Sequence, residues 1–240
     1  MIGPNRRAPL ALALAVCAAL AAASAPSTAG AAPRPAETVP LLSVGGISIA
    51  APEDTLGRGE YLAALRLFEA GLFDSSAASF QLFAMRRQRN LLVNDAIEHV
   101  LLIRENREPG DEPLRLYART MASRNAGQAD SAAAMARAGL ERFPKARIRY
   151  HWEYLLAEIA RDRGDHADAI RLAMTVADST SKSRLAPFAL KLAGDETIAM
   201  GEDPQKALRL YQALLERYPA SPLGPPVRAQ VLEIRKKLQL

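Results

Sequence analysis

Three glycines, Gly127, Gly164 and Gly201, recur at intervals of 37 residues, and each separates two apolar segments of helical period. A glycine takes up a left-handed backbone without steric cost, so it can reverse a helix within a few residues. Such a period constrains the fold more than any other feature, because equal helix-turn-helix units that recur must bury their apolar faces against one another. From Leu56 onward the apolar residues follow i, i+3, i+4, i+7, with no sustained alternation of the kind a strand requires. Helices are expected near 56–70, 74–89, 91–106, 113–126, 129–142, 148–163, 166–178, 185–200, 204–217 and 225–238.

Within these units the small and aromatic residues also recur. The segment 187–219 has Gly194 late in its first helix, Gly201 at the turn, then Ala207, Tyr211, Leu214 and Pro219. The segment 114–144 has Gly127, Ala132 and Pro144, with Ala136 in place of an aromatic. The segment 150–181 has Ala157, Ala160, Gly164 and Ala169, with Ser181 where a proline would stand. A first, weaker unit has Gly71 at the turn, Phe80 as its aromatic and Ser76 at the small position. Alanine or glycine at a close helix crossing lets two backbones approach, where extra methylenes would cost about 1–3 kcal/mol. Proline ends the second helix, since the residue before it is pushed out of the α region.

This pattern resembles the tetratricopeptide repeat family over residues 56–240. The link Tyr218-Pro219-Ala220-Ser221-Pro222 and the stretch Asn94-Asp95-Ala96-Ile97 are similar to BamD-like outer-membrane assembly lipoproteins and TolA-binding periplasmic proteins. The resemblance implies an all-α fold: a right-handed α-solenoid of stacked helical hairpins, closed by a capping helix at Val227–Leu238 with the charged Arg235-Lys236-Lys237. It also implies that first helices line a concave groove that holds a protein partner. Carried onto this chain, the groove positions are Tyr117, Met121, Arg124 and Asn125 in one unit, His151, Tyr154, Glu158 and Arg161 in the next, and Phe188, Lys191 and Asp195 in the last. Tyr and Arg dominate binding hot spots, so Tyr117, Arg124, Tyr154 and Arg161 are the preferred contacts.

The first residues set the compartment. Arg6-Arg7, an uncharged apolar run from Ala8 to Ala23 and the small residues Ala29-Gly30-Ala31 form a secretory signal, expected to be cut near Ala31. Residues 32–54 form a linker rich in proline and small residues, with an alternating patch from Val39 to Ile49 broken by Gly45-Gly46. Residues 55–240 form the repeat domain. The one cysteine, Cys17, sits inside the apolar run behind Val16, a poor lipoprotein processing box. Cleavage leaves no thiol for a disulfide or a zinc site. The expected localisation is periplasmic or envelope-associated, with membrane association only through an uncleaved signal or a lipid anchor.

Removal of the signal leaves 29 basic and 26 acidic residues, too even a balance for a nucleic-acid binder. The short clusters Arg86-Arg87-Arg89 and Arg235-Lys236-Lys237 are expected to be solvated helix faces. His99, His151 and His166 lack the spacing of a metal-ligand pair, and no nucleophile elbow or phosphate loop is present. No cofactor, metal or catalytic residue is therefore expected. Asp111, ahead of Pro113, is expected to cap a helix; Asp195-Glu196 is expected to punctuate a helix or face water. The competing reading is an envelope carbohydrate-binding protein or wall-acting enzyme, for which Glu158 and Asp195 form the one acidic pair to nominate.

Overall fold

The structure, a computed structural model, describes residues 55–179, 184–201 and 203–239. The signal, the linker with its alternating patch, Cys17, Ser181 and Ser183 lie outside the described residues. Ten α-helices and no strand occur within them: α1 (Thr55–Glu69), α2 (Phe73–Arg86), α3 (Val93–Glu105), α4 (Glu112–Asn125), α5 (Ala129–Arg142), α6 (Arg149–Asp162), α7 (His166–Ser179), α8 (Ala186–Ala199), α9 (Pro204–Arg217) and α10 (Gly224–Leu238). Each coincides with an expected segment to within three residues at either end. The chain is all-α.

The four turn glycines, Gly71, Gly127, Gly164 and Gly201, have φ of 74°, 77°, 75° and 70°. After α1 the Leu72 amide donates to the Leu67 carbonyl and the Gly71 amide to Phe68. The same pair of bonds closes α4 (Gln128 to Ser123, Gly127 to Arg124) and α6 (Asp165 to Ala160, Gly164 to Arg161). These bonds satisfy carbonyls that the helix end leaves without an intrahelical partner, and they need a left-handed residue at the glycine. Prolines act as expected at the other ends: α5 and α9 stop two residues before Pro144 and Pro219.

The helices pack α1 on α2, α2 on α3, α4 on α5, and then each from α5 to α10 on the next, while α1 also touches α4. The small positions Ser76, Ala132, Ala169 and Ala207 are all fully buried. Ser76 fits this role because its hydroxyl donates to the Ala64 carbonyl at 2.9 Å, which removes the cost of burying it. Two glycines mark the closest crossings. A Cβ on Gly194 would lie 2.5 Å from Tyr211 Cε1, and one on Gly139 would lie 2.6 Å from Trp152 Cε2. The terminal α10 buries Val227, Val231 and Ile234 and leaves Arg235, Lys236 and Lys237 exposed.

Two expectations are corrected. Asp111 stands at the N-cap position of α4, yet its backbone is helical and its side chain caps nothing. Both carboxylate oxygens instead accept from Arg107, at 3.0 and 3.2 Å, a charged pair that outcompetes a neutral amide. Asp195 and Glu196 lie inside α8, where Glu196 is only 5% exposed. Asp203 is a true cap: its side chain accepts from the Gln205 amide, with Pro204 opening α9.

Candidate partner-binding face

The groove positions named above fall into two linked clusters and a small outlier. In the first, α4 and α6 face each other. Arg124 on α4 reaches α6, with Nη2 3.0 Å from Asp162 Oδ2 and Nη1 3.6 Å from Glu158 Oε2. Arg161 adds two hydrogen bonds to Asp162 Oδ1, from Nε and Nη2. Asp162, about half exposed, is thus held by two arginines. The one-turn spacing of Glu158 and Asp162 brings both carboxylates to one side of α6. Across the same helix pair the rings of Tyr117 and His151 meet edge to face, 5.6 Å between centroids.

The second cluster joins α8, α9 and α10 around Asp195. Its Oδ2 lies 2.5 Å from Lys191 Nζ, and its Oδ1 accepts from the Tyr211 hydroxyl at 2.8 Å and from Gln230 at 3.4 Å. Phe188 is half-buried and packs on the same core. Tyr154, buried near both Glu158 and Asp195, links the two clusters, and its hydroxyl is held well above its ordinary pKa, first by burial and then by the negative field of Glu158. The outlier is Asn125, whose side chain donates to Glu69 of α1 at 2.8 Å. Met121 is buried and belongs to the core.

Burial divides these residues by the role each can take. Tyr117, Met121, Tyr154 and Glu158 are 5–7% exposed and form the floor. Arg124, Asn125, His151, Arg161, Phe188, Lys191 and Asp195 are partly exposed and form the accessible layer.

Glu158 in the floor and His151, partly exposed above it, are electrostatically unusual. Burial pushes the Glu158 carboxyl up to about 7, against the opposing pull of Arg124 and Arg161. Burial, with Arg184 and His99 adding to it, pulls His151 down to about 3, so the imidazole is neutral at pH 7. The His151 Nδ1 and Glu158 Oε1 are buried with no hydrogen-bond partner among the described residues. Glu158 and Asp195, the acidic pair nominated for an enzyme, each face cationic partners: Arg124 for the one, Lys191 for the other.

Three contacts were beyond the sequence reading. His166 Nδ1 lies 2.6 Å from Glu196 Oε2, tying the start of α7 to α8. Arg184, ahead of α8, pairs with Glu98 and Glu105 of α3 at 3.3 and 3.0 Å, across 79 positions of chain in the second case. Asp162 carries both arginines of the first cluster. Only the last had a signal, its one-turn spacing from Glu158; the other two join residues with no common period. Among the described residues no group of His, Cys, Asp and Glu is disposed to hold a metal ion, and no helix is long and apolar enough to cross a membrane. No protein-family model matches the chain, and a search of curated proteins finds no relative.

Proposed function

We propose that this chain is an exported, non-catalytic scaffold of the bacterial cell envelope, a right-handed α-solenoid of tetratricopeptide-like hairpins that binds a segment of a partner protein along the inner strip of α4, α6 and α8. The supporting observation is the Arg124–Asp162–Arg161 network, a half-exposed carboxylate held by two partly exposed guanidiniums beside a buried floor of Tyr117, Tyr154 and Glu158. Arginine over aromatic residues is the composition of interface hot spots. Arg124 and Arg161 are the main contacts in this reading, His151, Phe188 and Lys191 flank them, and Tyr117 and Tyr154 support them from below. Asp162 keeps the guanidiniums oriented until a carboxylate or carbonyl of the partner takes over one of them. The partner belongs to the envelope, in keeping with the signal of residues 1–31, and the role is one of complex assembly, without nucleic acid or cofactor.

A photo-crosslinking residue placed at His151 or Lys191 should capture one defined envelope protein in cells. The same residue at exposed Arg137 of α5, outside the strip, should not. Binding of that purified partner should weaken about tenfold or more in the Arg124→Ala, Arg161→Ala double variant, the scale of a hot-spot pair. Equal capture at Arg137, or unchanged affinity in the double variant, overturns the reading.

A further inference from the structure

The outward face of α2 is apolar where a solvated helix is normally charged. Ala78, Leu82 and Met85 share this face by their i, i+4, i+7 spacing, and all are exposed. Leu82 is 41% and Met85 65% exposed; Leu91, in the turn that follows, is 54% exposed. Inside the same ten residues stand Arg86 and Arg89, both exposed, and among the described residues neither pairs with a carboxylate. Arg87, between them, is tied to Glu60 by two bonds of 3.1 Å. That tie, with the Tyr61 ring 5.9 Å from Phe83, places the end of α2 beside the start of α1, where Arg58 is also exposed.

The carboxylates near this end are already spoken for. Glu60 holds Arg87, Glu98 holds Arg184, and Asp95 is partly buried with its carboxyl pushed up to about 6 by burial and by Glu98. What remains outward is aliphatic side chain interleaved with arginine. Aliphatic residues that insert at the headgroup boundary, with arginines at the level of the phosphates, are the composition of a peripheral lipid contact.

We propose that Leu82, Met85, Arg86, Arg89 and Leu91 form a docking surface for an anionic phospholipid bilayer. The charge fits that occupant: Arg86 and Arg89, exposed and without a carboxylate partner among the described residues, complement anionic headgroups. The export reading supplies only the cellular setting, a membrane within reach; the surface chemistry stands without it. Each arginine near an anionic surface contributes about a fivefold gain in partition, and the attraction fades with salt over a Debye length.

The test uses the full chain and sedimentation with phosphatidylcholine vesicles, with and without phosphatidylglycerol. The wild-type chain should prefer the anionic vesicles, more so at low salt. Arg86→Gln with Arg89→Gln should reduce that partition by roughly thirtyfold, and Met85→Ser with Leu91→Ser should reduce it severalfold on both vesicle types. The N-terminal segment is common to every variant, so the differences report the patch alone. All four residues are exposed, and circular dichroism should show unchanged helicity; if the serine pair loses helicity, the arginine pair decides by itself. Equal partition of wild-type and glutamine variants, or no preference for phosphatidylglycerol, overturns the proposal. Capture at His151 in the Arg86→Gln, Arg89→Gln variant separates the two readings: it should stay at the wild-type level, so failure on vesicles leaves the groove reading standing.

Discussion

The helical body holds two cores that solve one packing problem by opposite means. Around α1, α2 and α3 the interior is made of rings: Phe80 stacks on His99 at 4.6 Å, Tyr61 meets Phe80 at 5.3 Å and Phe68 meets Phe73 at 5.6 Å. From α6 to α9 the interior is rich in alanine, with Ala157, Ala169, Ala173, Ala189, Ala193 and Ala207 all fully buried and Tyr211 laid on Gly194. Rings fill space between helices held apart; alanines let helices close until backbones nearly touch. The first core gains from area and edge-to-face geometry, the second from close contact along the helix crossing. The difference teaches where each half is vulnerable, since truncation should damage the ring core and enlargement the alanine core.

The largest effect tests truncation. Phe80→Ala and Phe68→Ala each empty a fully buried site of the ring core and should cost about 3–5 kcal/mol in urea unfolding. A loss near 1 kcal/mol at Phe80 would mean the ring core can collapse and the contrast is weak.

The next effect tests enlargement. Gly194→Ala should cost roughly 1–3 kcal/mol because its methyl meets Tyr211. Tyr211→Leu should recover part of that loss in the double variant, a coupling that a thermodynamic cycle reads directly. Gly127→Ala is the control, with nothing within 4 Å of its Cβ but a φ of +77°. It should cost about 1 kcal/mol through the backbone alone, with no coupling to a ring. Equal coupling at both glycines would break the comparison.

The smallest effect is a slope against pH. Glu158 titrates at about 7 in the folded chain against 4.5 as its ordinary value, so the folded state holds this proton more tightly. Its contribution is therefore fully present below 4.5 and is lost as pH rises to about 7. His151, lowered from 6.5 to about 3, works the other way: its contribution is present above 6.5 and lost as pH falls toward 3. Between 4.5 and 6.5 the two slopes oppose each other within one helix. Glu158→Gln removes the first, so stability relative to wild type should grow across pH 4.5–7. A constant difference between the two proteins over that range would show that Glu158 is ionised throughout.

The sequence determined what depends on near neighbours. The left-handed turns at Gly71, Gly127, Gly164 and Gly201, the helix ends before Pro144 and Pro219, and the small positions from Ser76 to Ala207 each follow from the backbone freedom or the size of one residue. Local energies decide these, and local energies are written in the chain order. Tertiary structure decided which polar groups went under cover. Glu196 reads like a solvent-facing acid until His166 arrives from another helix, and Asp111 reads like a cap until Arg107 turns back to it. Tyr117 and Tyr154 read like groove anchors, yet neighbouring helices close over them to 7% and 5% exposure. A charge or ring keeps or loses its water according to what stands on every side of it, and those sides are built from parts of the chain whose spacing has no period.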